Sequence, residues 1–506
     1  MEVTILDVIK NVFQLGNVLI AAGGVLIGII FGALPGFTAS MGVAILLPVT
    51  FGMEPAAGLI LLGSLFGGAM YGGSIAAILV NTPGTPSAAA TVLDGHPMCK
   101  KGLAGEALRE AVFASFIGGI FGVTVLLLFA PPLARISLLF GPPEYFLLAL
   151  FGLTIIATIS EKAIFKGLIA GVFGLLISTI GMDPLLGIPR FTGGIVNLLD
   201  GIQLVPAMIG LFSIPETMEM IRRHMHPEEE RAEETCVDIR SIKIGFPKLK
   251  QVIKFIPIYI RSSIIGTGIG ILPGAGGSIA SFMAYNETKR ASKHPEKFGT
   301  GISEGIAAAE SANNAMASGA MIPMLTLGVP GDSVAAIMMG GLMVHGLQPG
   351  AELFARNGHI VYTFIIALYL ANVFMLLYGT YFAPYFTLVT NTPRHFLAVS
   401  VLLLTVMGSY ALRGNIFDVY VMVAFGIIGY LMKVHGFSVI PTVLGIILGP
   451  MAESGLNSMI AISTGENIVV FLVARPISLV LIILTLLSIA FPFYRRIRES
   501  HNPTKA

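Results

Sequence analysis

Tryptophan is missing from this chain of 506 residues, cysteine occurs twice, and charged side chains make up only 11% of it. Ordinary soluble domains carry about 25% charged residues, so a soluble enzyme is excluded at the outset. Charge of the two signs is nearly even, 30 Lys and Arg against 28 Asp and Glu. That balance excludes a protein that lives by gripping nucleic-acid phosphates. Cys99 and Cys236 lie far apart in charged stretches, so no disulfide framework or cysteine-rich metal site is expected, and both read as free thiols. Without tryptophan, anchoring at a membrane surface falls to Tyr, Phe and cations.

What fills the chain instead is apolar, with 55% hydrophobic residues and 60 glycines and a mean hydropathy of +0.86. No charge falls between Lys10 and Glu54, Glu54 and Asp94, Glu110 and Arg135, Arg356 and Arg394, or Arg475 and Arg495. Each run can cross a bilayer as a helix, which takes about 20 residues and lets a single segment satisfy its own backbone in hydrocarbon. The fold class is therefore an all-α polytopic membrane protein. Glu2 and Asp7 precede Lys10, so the first apolar run lacks the positive start of a cleaved signal peptide.

Charge gathers in a few places. Residues 216–254 form a charged linker between membrane segments 1–215 and 255–492, and a basic tail occupies 493–506. With Lys100, Lys101 and the stretch Lys289 to Lys297, these should face the cytoplasm by the positive-inside rule. The two membrane segments resemble each other. Leu34-Pro35-Gly36 recurs as Leu272-Pro273-Gly274, a shift of 238 from Pro35 to Pro273. Asn81-Thr82-Pro83-Gly84-Thr85 is answered by Gly328-Val329-Pro330-Gly331-Asp332, a shift of 247 from Pro83 to Pro330. Pro143-Glu144-Tyr145 is answered by Pro393-Arg394-His395, a shift of 250 from Pro143 to Pro393. Keeping both Lys254 and Lys289 to Lys297 inside makes the run between them a re-entrant hairpin with Pro273-Gly274 at its tip, and residues 17–52 its counterpart. Spans are then expected near 57–80, 111–130, 144–160, 164–182, 201–216, 303–327, 360–388, 396–411, 415–432, 437–450 and 467–492. The expectation is two inverted-topology repeats with discontinuous helices, about 11–12 spans in all.

Discontinuous helices point to secondary transport. A Pro-Gly pair breaks a helix, and at membrane depth a break is costly unless protein or water covers it. The freed amides at a half-helix start attract an anion, and freed carbonyls at the other side hold a cation such as sodium. Candidate substrate- and ion-binding residues are accordingly Pro35, Gly36, Thr38 and Ser40 at the first break, and Asn81, Thr82, Pro83, Gly84 and Thr85 at the second. Pro273, Gly274, Gly276 and Ser278 serve the third break, and Pro330, Gly331, Asp332 and Ser333 the fourth. Glu310, Asn313 and Asn314 share one helix face at i, i+3, i+4 spacing; a solvated helix start is the alternative for that stripe. Asp332 and Asn314 are the expected sodium ligands, with carrying a proton or a plain helix cap the alternatives for Asp332. No arginine lies in the breaks, so a multiply charged anion has to be held by helix ends, hydroxyls, amides and co-bound cations.

These residues resemble one family, the large membrane subunit (TctA-like) of the tripartite tricarboxylate transporters. The match is carried by Gly32-Ala33-Leu34-Pro35-Gly36, Tyr71-Gly72-Gly73-Ser74-Ile75, Asn81-Thr82-Pro83-Gly84 and Gly270-Ile271-Leu272-Pro273-Gly274. It continues through Glu310-Ser311-Ala312-Asn313-Asn314-Ala315 and Gly328-Val329-Pro330-Gly331, so that it spans residues 15–490. The resemblance implies a permease of the bacterial inner membrane that works with a small membrane subunit of four spans and a periplasmic solute-binding protein. It implies uptake of citrate or other di- and tricarboxylates with sodium, no resident cofactor, and leaves a homodimer open.

An enzyme is the weaker reading. Gly328 to Asp332 is similar to the Gly-x-Gly-Asp turn of intramembrane aspartyl proteases, but the spacing differs and no second Asp sits convincingly in another span. His345 and His359 have no partner at zinc-binding spacing. A channel is the third class, distinguishable by whether flux saturates and needs the receptor.

Overall fold

The structure, a computed structural model, describes residues 5–34, 36–159, 164–225, 242, 244–383, 385–386, 394–463 and 467–501. The landmark Pro393, Cys236 and residues 226–241 and 243 of the expected linker lie outside them. Among the described residues there are nineteen helices and a single two-stranded hairpin. Eight helices are long and apolar enough to cross a membrane, and five shorter apolar ones accompany them. The chain is an all-α, multi-pass membrane protein.

Two compact units each draw on both halves of the sequence: 1–134 with 212–415, and 135–211 with 416–506. The first unit begins with α1 (Ile5–Val12), α2 (Leu15–Ala33), α3 (Ala39–Leu46), α4 (Pro55–Leu79) and α5 (Ala89–Lys100). Next come α6 (Ala104–Ser137), whose last residues belong to the second unit, and α9 (Leu204–Met225), whose first residues do; α7 (Pro142–Ile159) and α8 (Ile164–Ser178) belong to the second unit. The first unit continues with α10 (Leu249–Ile271), α11 (Gly276–Ala291), α12 (Ser303–Leu327), α13 (Ser333–Val344), α14 (Ala351–Tyr381) and α15 (Arg394–Ala411).

Its framework is two helix pairs packed through glycine. A Cβ on Gly28 or Gly32 of α2 would fall on the carbonyl oxygens of Leu65 or Ala69 of α4. One on Gly266 or Gly270 of α10 would fall on those of Ala312 or Met316 of α12. Between apolar helices in lipid there is little hydrophobic drive to associate, so small residues that let backbones touch supply the contact. The two pairs correspond at the shifts already noted, 238 from Gly28 to Gly266 and 247 from Leu65 to Ala312. α4 and α12 are both 25 residues long and buried along nearly their whole lengths.

The second unit contains α7 (Pro142–Ile159), α8 (Ile164–Ser178), the hairpin β1–β2 (Gly181–Met182, Pro189–Arg190), α16 (Ile416–Val434), α17 (Ile440–Ile462), α18 (Ile468–Val473) and α19 (Pro476–His501). It is stapled by polar contacts as well as packing. The buried Glu144 carboxylate accepts from Arg475 Nε at 2.7 Å and from Ser478 Oγ at 2.6 Å. Arg190 donates to Glu453 at 2.6 and 3.1 Å. Arg190 also pairs with Asp183, whose carboxyl is held below its ordinary range chiefly by the amides of Leu186 and Leu185.

Three expectations change. The segment expected at 437–450 continues as one helix to Ile462 with Pro450 inside it, since a proline interior to a membrane helix is tolerated when neighbours cover the freed groups. The span expected at 111–130 begins at Ala104, because Glu110 is not a surface boundary but a buried carboxylate accepting from Tyr259 and Gln251 of α10. Cys99 is buried and disulfide-bonded rather than a free thiol. Ile242 and Ile244 pack in one cluster with Met98 and Cys99, so chain far off in sequence returns to the end of α5.

Gly32→Ala should lower stability by about 1–3 kcal/mol through overpacking. Gly23→Ala on the same helix meets open space and should be neutral or stabilising. Thermal unfolding of the two variants in detergent checks this, and equal midpoints would remove the glycine contacts as the source of the pairing.

Candidate functional site

Each long helix of the two pairs stops at a Pro-Gly break. α2 ends with Leu34 extended at φ −78°, ψ 118°, and α10 ends with Leu272 at φ −80°, ψ 116°. Gly36 and Gly274 follow, left-handed at φ +85° and +81°, a conformation that glycine takes without steric cost. α4 is followed by Asn81 at φ +58°, and α12 by Gly328 at +69°. The same backbone event occurs at matched positions in each half.

The four breaks form a closed ring of contacts within the first unit. Gly84 of the second break sits against the Gly32 carbonyl that ends α2, and its amide donates to Gly73 O at 3.2 Å. Gly331 of the fourth sits against the Gly270 carbonyl that ends α10, and its amide donates to Ala320 O at 3.2 Å. Gly274 N donates to Gly331 O at 2.7 Å, joining third to fourth. Ser40 Oγ meets Ser333 Oγ at 2.9 Å, joining first to fourth. At the remaining corner a Cβ on Gly277 of α11 would stand 2.7 Å from Ser87 Cβ and 3.0 Å from Asn313 Oδ1. Four helices, α3, α5, α11 and α13, begin at this ring or one 3₁₀ turn beyond it, and four, α2, α4, α10 and α12, end there. Positive and negative dipole ends are thus gathered together.

The expected residues are placed unevenly. Gly84, Thr85, Gly274, Pro330 and Gly331 are in or beside the ring, and Thr85 Oγ1 bonds Ser87 Oγ at 3.1 Å. Pro273 is buried at the third corner, Gly276 is left-handed at φ +65°, and Pro83 is half-buried beside Gly84. Thr38 spends its hydroxyl on Met41 N as the cap of α3, Thr82 bonds within its own turn, and Ser278 is half-buried in the first turn of α11. Pro35 lies outside the described residues. Asp332 caps α13, its Oδ1 accepting from Ala335 N at 2.8 Å. Asn314 is elsewhere, on a cavity between α4, α6, α12 and α14 that is also lined by Ser64, Gly67, Ser318 and Asn372. Asn314 Nδ2 and Asn313 Oδ1 are buried without a hydrogen-bond partner.

The stripe on α12 is not a solvated helix start. Glu310, Asn313 and Asn314 are buried, and the Glu310 carboxyl is bonded by Thr91 of α5 and Ser115 of α6. Sequence reasoning missed these partners, and it missed Asp94. That carboxylate accepts the amides of Gly299, Gly301 and Ile302 at 2.9, 2.8 and 3.1 Å and the Tyr285 hydroxyl at 2.8 Å. The one available signal was an Asp isolated among apolar residues near basic Lys100 and Lys101.

The family model described as "Tripartite tricarboxylate transporter TctA family" matches residues 18–444. A protein of Agrobacterium vitis described as an uncharacterized 52.8 kDa protein in the TAR-I ttuC' 3'region is 35% identical over 479 residues, 95% of this chain and 93% of that one. A second Agrobacterium vitis protein, uncharacterized and from the TAR-II ttuC' 3'region, is 32% identical over 237 residues, 47% of this chain and 97% of its own. No solved structure matches the chain. The resemblance carried by the Pro-Gly motifs is thereby borne out, and the chain belongs to the tripartite tricarboxylate transporter TctA family.

Proposed function

We propose that the chain is the permease subunit of a cation-coupled carrier that takes up carboxylates, citrate or another di- or tricarboxylate, across the bacterial inner membrane. In this reading a periplasmic solute-binding protein delivers the cargo and a small membrane subunit completes the assembly. The observation that carries it is the ring of breaks. Four helix starts at one place offer amides and positive dipole ends to an anion, with no Lys or Arg in the breaks themselves. The four helix ends there offer carbonyl oxygens to sodium, a hard cation that prefers oxygen. Co-bound sodium would offset the cargo's charge where side chains do not. Inverted repeats, proposed from the matched breaks, would make the outward and inward states near-mirror arrangements of similar energy.

In proteoliposomes holding all three components, labelled citrate should accumulate saturably, only with the receptor present, and in proportion to an inward sodium gradient. Accumulation that persists after sodium removal and collapse of the proton gradient would overturn cation coupling.

Asp332 separates two roles. Asp332→Ala removes the cap and should cost about 1 kcal/mol, whereas Asp332→Asn keeps a good capping residue and should melt like the parent. If Asp332→Asn is stable yet loses sodium-driven uptake, Asp332 is a sodium ligand as well; parental uptake leaves the cap as its whole role.

A further inference from the structure

The cavity on which Asn314 lies is enclosed by α2, α4, α6, α12 and α14, and no residue of the four Pro-Gly breaks lines it. Its volume is about 20 Å³, room for one water-sized guest and for nothing as large as a carboxylate cargo. The polar side chains on its walls are Ser64 of α4, Asn314 and Ser318 of α12, and Asn372 of α14. Ser64, Asn314 and Ser318 are buried. A helical hydroxyl can turn back on its own helix, as Thr326 does to Ile322 O at 2.7 Å, but Ser64 Oγ makes no hydrogen bond, and neither does Asn314 Nδ2. Asn372 spends its Nδ2 on Leu368 O at 2.8 Å. That leaves its Oδ1, an acceptor, in the place a Cβ of Gly119 would take on the cavity wall. Buried polar groups without partners are costly, so this set calls for a guest.

We propose that this cavity is a monovalent-cation site that takes sodium, apart from the ring of breaks. Ser64 Oγ, Ser318 Oγ and Asn372 Oδ1 offer oxygens from three helices, and oxygen donors suit a hard cation. The Asn314 amide gains nothing through Nδ2 as it stands, and a half-turn presents its Oδ1 as a fourth ligand. A divalent ion lacks the carboxylates it needs, since among the described residues no three His, Cys, Asp or Glu gather at a metal-binding distance. Charge distinguishes the guest from a water. Glu310 precedes Asn314 by four residues and so lies one turn away on the same face of α12. Its buried carboxyl accepts from the Thr91 and Ser115 hydroxyls, and no Lys, Arg or His among the described residues pairs with it. A sodium ion in the cavity supplies the opposite charge that a buried carboxylate requires.

The site's part in transport rests on the carrier reading; its binding of sodium does not. Ser64 comes from one glycine-packed pair and Asn314 and Ser318 from the other, so movement of the pairs against each other assembles or disperses the oxygen set. Asp332 is not on the cavity walls, and the two residues expected to share one sodium therefore act in different places. Gly67 supplies a probe of the site that leaves every ligand in place. It lines the cavity, and a Cβ there meets nothing within 4 Å. Gly67→Ala thus fills space the ion needs without a clash, and Ala favours a helix over Gly.

Radiolabelled sodium, titrated onto the full chain in lipid nanodiscs against a potassium background, should bind saturably. Gly67→Ala and Asn314→Ala should each bind one sodium fewer per chain, or need at least about tenfold more sodium for half-saturation. Parental binding by both variants, or no saturable binding by the parent, overturns the proposal and leaves the cavity to water. Should Asn314→Ala fail to fold, Ser64→Ala, which removes a single oxygen, takes its place with the same expectation. In proteoliposomes with the receptor and small subunit, Gly67→Ala should lose sodium-driven accumulation of labelled citrate, and retained accumulation overturns the coupling role. If the parent moves no citrate under any gradient while its sodium binding still depends on Gly67 and Asn314, the carrier reading fails and the cation site stands.

Discussion

A helix broken inside a membrane leaves amides and carbonyls that lipid cannot satisfy, and in the first unit each break is covered by another. Gly84 lies on the end of α2, Gly331 on the end of α10, and Gly274 donates to Gly331. The first two contacts do not survive a side chain at the glycine concerned, because Gly32 O and Gly270 O already occupy the space where a Cβ would go. The glycine-packed pairs α2–α4 and α10–α12 are therefore the condition for the breaks as well as for the core. Widening either pair would uncover backbone that has no other partner at that depth.

This explains what could be read in advance. Proline and glycine act through the backbone of their own segment, so Pro35-Gly36 and Pro273-Gly274 announce a helix end without reference to any neighbour. Duplication then sets the breaks in a common frame, and matched shifts of 238 and 247 survive in the structure as matched dihedrals at Leu34 and Leu272 and matched contacts at Gly84 and Gly331. The apolar runs were legible for the same local reason. The position of a charge was less so, because Glu110 reads as a span boundary until Tyr259 and Gln251, more than a hundred residues on, are known to meet it.

The candidate site was legible in its backbone and obscure in its side chains. Asn81 has a left-handed φ, and Asn is one of the few residues that accept it. Nothing local to Thr91 or Ser115 says that they converge on Glu310, since each comes from a different helix. Asp94 is similar: its three amide donors lie about two hundred residues away, in the turn before α12. Buried polar groups in a membrane protein demand partners, but the demand names no partner.

Where the halves diverge is more informative than where they agree. At the shift of 247 that superposes Gly84 on Gly331, Glu310 answers Gly63, Asn313 answers Phe66 and Asn314 answers Gly67. Asp94 answers Gly341, which packs on Leu47 and Leu62 side chains. α4 thus meets its neighbours through glycine and aromatic surface, with Gly63 against Phe364 of α14, while α12 carries a carboxyl and two amides along the corresponding face. Both faces bury nearly everything they carry, so the difference is not one of exposure. A shared backbone can give the two halves equivalent shapes, but a carboxyl and two amides buried on one helix alone make their chemistry unequal.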